Sequence, residues 1–89
     1  MEETIRHKIE VGLNPSHLEV INESHLHSGH AGSPGTGESH FRLKIVAETF
    51  SGKSRVERHR LVNELLEDEL AGTLHALAIR ASTPDEASR

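Results

Sequence analysis

The chain has no cysteine, tryptophan or tyrosine, and only two phenylalanines, among its 89 residues. Without thiols it can form no disulfide framework. Nor can it build, from its own side chains, the thiolate shell that normally holds an iron–sulfur cluster. With Phe41 and Phe50 as its whole aromatic content, the core must be aliphatic, and base stacking has little to work with. No apolar run approaches the roughly 20 residues that span a bilayer. The start, Met1 to Lys8, lacks the apolar stretch of a signal peptide. A cytoplasmic setting without membrane attachment is therefore expected. A net charge of −4 argues against a generally basic nucleic-acid binder. The length allows one small domain over residues 1–89, too small to enclose a deep active site.

What the chain does have is histidine. There are eight, and His25, His27, His30 and His40 crowd one stretch. Neutral imidazole ligates iron, zinc and copper and titrates near physiological pH. A metal that matters here must use a histidine-based site or borrow sulfur from a partner.

The chain divides into short elements. Ile5, Ile9 and Leu13 recur at spacings of four over residues 2–13, the pattern of an amphipathic helix. Glu2 and Glu3 suit the positive end of its dipole, and Asn14-Pro15 should end it by forcing residue 14 out of the helical region. Residues 17–23 read as a strand, with Leu18 and Val20 on one side. Residues 24–38 are Ser, Gly, His and Pro with almost nothing apolar, a long hairpin loop of the kind that is usually functional or disordered. Residues 39–48 alternate Phe41, Leu43 and Ile45 with Arg42 and Lys44 as a second strand, antiparallel to the first. Ser54-Arg55-Val56-Glu57 fits a capping box. It opens a helix expected to run to about Leu70, with Val56, Val62, Leu65, Leu66 and Leu70 as its apolar stripe and Gly72 as its stop. Residues 74–81 form a third strand, expected parallel to the second across the helical crossover. Thr83-Pro84-Asp85-Glu86 is a short terminal turn with Thr83 as cap, and residues 82–89 form the tail. The order α-β-β-α-β-α predicts an α/β (α+β) domain, a three-stranded mixed sheet with helices packed on one face.

Two features break local rules. The long helix carries Lys53, Arg55, Arg58, His59 and Arg60 near its start and Glu64, Glu67, Asp68 and Glu69 near its end, the reverse of what the macrodipole favours. Either the charges pair along a solvated face, as Arg60 with Glu64, or the basic patch receives an acidic surface or a phosphate backbone. The second is His75, which shares a strand face with Leu77 and Ile79 where an aliphatic residue is expected. It is either a hydrogen-bonded structural histidine or a rigidly placed ligand. The motif His25-x-His27-x-x-His30 lacks the spacing of a closed zinc finger, and a solvated loop is the plain alternative. A loop ligand with one strand ligand would leave coordination positions open to another molecule.

Taken together, several segments resemble the BolA family: His17-Leu18-Glu19-Val20, Glu38-Ser39-His40-Phe41-Arg42, Arg58-His59-Arg60-Leu61-Val62-Asn63, and Leu74-His75-Ala76-Leu77-Ala78-Ile79 followed by Thr83-Pro84. One departure stands out, since the family often places Trp after the Glu that here is Glu86, and this chain has Ala87. The resemblance implies a class II KH-like fold. KH domains use a Gly-x-x-Gly loop between helices, whereas Gly32-Ser33-Pro34-Gly35 lies in the hairpin loop, an accidental match. The resemblance further implies a heterodimer with a monothiol glutaredoxin around a bridging 2Fe-2S cluster shared with glutathione, with no cofactor expected on the isolated chain. His75 matches the family's C-terminal ligand. His30, favoured, or His27 matches the loop ligand. His40 and His59 fall in family motifs and read as structural or as partner surface. The family is also described as transcriptional regulators, and Lys53, Arg55, Arg58 and Arg60 are the residues that would contact DNA. No catalytic spacing of Ser, His and Asp is present, so an enzyme is not expected.

Overall fold

The computed structural model describes residues 1–23, 40–72 and 74–89. Helix α1 (Glu2–Leu13) buries Ile5, Ile9 and Leu13, the three positions its spacing assigns to the core. Each such aliphatic side chain contributes about 1.5–3 kcal/mol by leaving water. The helix stops where Pro15 requires, with residue 14 out of the helical region as expected. Asn14 turns left-handed (φ 47°, ψ 56°) and donates its N–H to Glu10 O at 3.0 Å. Asn is among the few non-glycine residues that tolerate this region.

Strand β1 (His17–Asn22) pairs antiparallel with β2 (His40–Val46), in register from His17 with Val46 to Asn22 with Phe41. Strand β3 (Ala76–Ser82) lies parallel to β2, from His40 with Ala76 to Val46 with Ser82. The order β1-β2-β3 makes β2 central, as the hairpin and crossover predict. The alternation then sorts the two faces. Leu18, Val20, Phe41, Leu43, Ile45, Leu77 and Ile79 point to the side covered by helices and join the core. On the other face lie exposed Ile21, Arg42, Lys44, Ala78 and Arg80, with Glu19 half-buried among them. Ion pairs there link Arg42 to Glu23 at 3.0 Å and Lys44 to Glu19 at 3.8 Å.

After β2 a short 3-10 turn (Glu48–Phe50) tucks Phe50 fully into the core. Gly52 follows with φ 75°, a conformation that costs a side-chain-bearing residue strain. Helix α2 (Arg55–Leu65) opens with the capping box its sequence announces. Ser54 Oγ accepts from Glu57 N at 3.1 Å, and Glu57 Oε1 accepts from Ser54 N at 2.9 Å.

The expected continuous helix to Leu70 is instead two. Leu66 (φ −106°, ψ 20°) separates α2 from α3 (Glu67–Ala71). Leu66 is completely buried at the joint. Glu69 on α3 meets Lys8 Nζ of α1 at 2.9 and 2.8 Å. Val56 also departs from expectation, being 60% exposed rather than part of the apolar stripe. Its turn of α2 faces inward through Arg58, whose guanidinium sits 5.8 Å from the Phe50 ring centre.

The third strand begins two residues later than its apolar run suggests and is half-buried, not apolar-packed on both faces. The physical reason is its place at the sheet's edge, with helices on one side only. Helix α4 (Pro84–Ala87) is capped by Thr83, whose Oγ1 accepts from Glu86 N at 3.2 Å, with Glu86 Oε1 accepting from Thr83 N in return.

Candidate metal-ligand and partner surface

His75 does not lie on β3. It occupies the step before it, between two fixed neighbours. Leu74 is buried, and its N–H bonds Glu69 O at 3.1 Å. Ala76 enters the ladder opposite His40. The expectation that His75 shares a strand face with Leu77 and Ile79 is therefore corrected. The residue that turns inward there is Leu74, and His75 is exposed. The backbone is pinned on both sides while the imidazole is open to solvent.

The sheet brings other chemistry to this end. His40 starts β2 beside Ala76, and Glu23 N bonds His40 O at 2.8 Å. Glu23 and His40 bound the loop, so the segment that carries His25, His27 and His30 leaves and re-enters the sheet at the His75 end. Those three histidines lie outside the described residues. His17 is at the opposite end, across from Val46. Its Nε2 is 2.8 Å from Glu19 Oε2, and this hydrogen bond is the main cause holding the Glu19 carboxyl below its usual range. Among the described residues, no three His, Asp or Glu side chains are grouped so as to hold a metal ion.

The basic patch is rearranged by the fold. Arg58 is committed within the molecule. Its Nε donates to Lys53 O at 2.9 Å, and Nη1 donates to Ala81 O at 3.2 Å. The guanidinium also grips Glu86 with two bonds, at 2.6 and 3.1 Å. That grip, aided by the Thr83 N–H, lowers the Glu86 carboxyl to about 2. The same hydrogen bond raises Arg58 further. Arg60 lies beside Glu57 and Glu64, in a separate shallow depression. Lys53 and Arg55 remain, and they gain Arg80 from β3. Together with His59 and Ile79 they line a groove of about 570 Å³, with the Arg58–Glu86 pair in its wall.

The sequence does not reveal Glu86 or Arg80 as members of this region. Thr83-x-x-Glu86 marks Glu86 as a capping residue, and nothing local links it to Arg58, 28 positions away. His59 falls in the groove, and His40 at the His75 end of the sheet. The two lie in different regions.

The fold and its surface describe a small α+β domain with an exposed histidine, His75, just before its edge strand and a basic groove beside that strand. A family model described as BolA-like protein matches residues 9–86, and the chain belongs to the BolA family. It is 52% identical over 90 residues to an uncharacterized protein in the cobS 5′ region of a Sinorhizobium species, covering 100% of this chain and 97% of that protein. It is also 52% identical to BolA-like protein 1 of Bos taurus over 84 residues, covering 94% of this chain but only 59% of the cattle protein. Among solved structures it resembles the BolA domain of SufE1 from Arabidopsis thaliana, with a TM-score of 0.86 and 50% identity over 96% of this chain and 93% of that one.

Proposed function

We propose that this chain is a non-enzymatic adaptor that binds a monothiol glutaredoxin and contributes histidine ligands to a bridging 2Fe-2S cluster, in iron–sulfur cluster handling or iron and redox regulation. The observation that carries this reading is His75, an exposed imidazole on a backbone held by buried Leu74 and by the first rung of β3. A ligand so held loses little freedom on binding. The donor chemistry fits: imidazole suits iron, and a chain without cysteine needs the sulfur of a partner thiol and of glutathione. Replacing thiolate by imidazole on one iron raises the reduction potential. His75 would be the first ligand, and His30, or failing that His27, the second. A cytoplasmic setting without a membrane partner belongs to the same reading, and among the described residues no helix is long and apolar enough to cross a bilayer.

The test is reconstitution. The purified chain is mixed with a monothiol glutaredoxin, glutathione, ferrous iron and sulfide, and visible circular dichroism is recorded. A spectrum distinct from that of the glutaredoxin alone is expected. His75→Ala should abolish the difference, and His30→Ala should do so more completely than His27→Ala. A spectrum indifferent to His75→Ala overturns the assignment.

Binding of DNA through Lys53, Arg55, Arg58 and Arg60 is the weaker reading. Arg58 is spent on Glu86 and two carbonyls, and Arg60 stands beside two carboxylates. Such binding should fade steeply as salt rises, and an unshifted promoter fragment at low salt removes it.

A further inference from the structure

Among the described residues, no strand pairs with the outer edge of β3. The ladder bonds show which way each residue's backbone faces. Ala47 N bonds Ser82 O at 2.9 Å, so Ser82 faces β2. Backbone direction alternates along a strand, so Ala76, Ala78 and Arg80 face β2 as well. Leu77, Ile79 and Ala81 face outward. The Ala81 carbonyl is already taken by Arg58 at 3.2 Å. Leu77 and Ile79 therefore present N–H and C=O groups that pair with nothing among the described residues. Exposed edges are usually blunted by Pro, Lys or a bulge, and Leu77-Ala78-Ile79 has none of these.

Next to this edge is the groove of Lys53, Arg55, His59 and Arg80. Neither Arg55 nor Arg80 has an ion-pair partner among the described residues. The carboxylate in the groove wall, Glu86, is neutralised by Arg58. In a chain of net charge −4, positive charge is thus gathered beside one open strand edge.

We propose that the β3 edge is a docking site for an extended acidic segment of a partner protein, which pairs with Leu77 and Ile79 and sets its carboxylates against Arg55 and Arg80. The edge calls for both donors and acceptors. A peptide backbone supplies both, and strand addition is a recurrent recognition mode. A nucleic acid would bring phosphate acceptors toward outward carbonyls that need donors. Its bases would also find neither phenylalanine to stack on, because Phe41 and Phe50 are buried at 2% and 0% exposure. Arg58 at Ala81 fixes where the added strand stops. The inference rests on β3 and its groove and is independent of the histidine reading above.

The test is a titration of the full chain, followed by NMR, with a short synthetic peptide alternating glutamate and valine. Expected are slowed hydrogen exchange at the Leu77 and Ile79 amides and shifts at Arg55 and Arg80. N-methylation of the peptide on the pairing side should weaken binding about tenfold, as loss of two backbone hydrogen bonds implies. Arg80→Glu, an exposed substitution, should weaken it several-fold while leaving the remaining spectrum in place. The proposal is overturned by equal binding of the N-methylated peptide, by no binding of the parent peptide, or by a single-stranded DNA oligonucleotide that outcompetes it.

Discussion

The two ends of β3 use their polar groups in opposite ways. At the far end Arg58 satisfies two carbonyls and Glu86, so its charge is consumed by the fold. At the near end His75 is exposed, while Leu74 beside it takes the structural load. A basic residue in a promising patch can thus be a structural clasp, and a histidine next to a core leucine can stand free of the core.

The largest effect that sharpens this contrast is expected from Leu74→Ala. Removing a fully buried leucine should cost about 2–5 kcal/mol, read from the urea midpoint, and should loosen the anchor of His75. Next is Arg58→Ala, which leaves the carbonyls of Lys53 and Ala81 without their donor. A loss of about 1–3 kcal/mol is expected, by the same measurement. If Arg58→Ala changes stability no more than an exposed arginine does, the clasp is not structural.

Glu86 gives a pH-dependent version of the same test. Its folded-state carboxyl lies near 2 against an ordinary 4.5. A carboxyl lowered on folding adds stability that is fully present above the ordinary value and is lost as the pH falls toward the folded one. Stability measured in that window should therefore fall more steeply for the parent than for Glu86→Gln, and matching slopes would contradict the pairing. The smallest effect belongs to His75→Ala, within about 0.5 kcal/mol of the parent in urea unfolding. A large loss would move His75 from the ligand class to the structural class and erase the contrast between the two ends.

The sheet was legible in the sequence because each part of its signal is local. Phe41, Leu43 and Ile45 alternate, and Val20 and Leu43 match across a hairpin. Both capping boxes, at Ser54 and Thr83, can be read from four consecutive residues. What was not legible depends on distant partners. The break falls at Leu66, a buried leucine with no Gly or Pro beside it to announce it. Val56 looked apolar-facing because the pattern cannot know that Arg58 folds back over Phe50. His75 was assigned to the third strand but lies just before it, since the leucine that satisfies the core is its neighbour in sequence. The histidines at 27 and 30 fall outside the described residues.

The bond from Glu23 N to His40 O closes the β1–β2 hairpin below its connecting segment. Register is set by the six rungs beneath that bond, from His17 with Val46 to Asn22 with Phe41, and not by what joins them. Because the entropy of closing a connection rises only slowly with its length, the stretch between these two residues can be lengthened, shortened or exchanged at little thermodynamic expense. Evolution and the protein engineer alike can change that stretch without redesigning the paired strands.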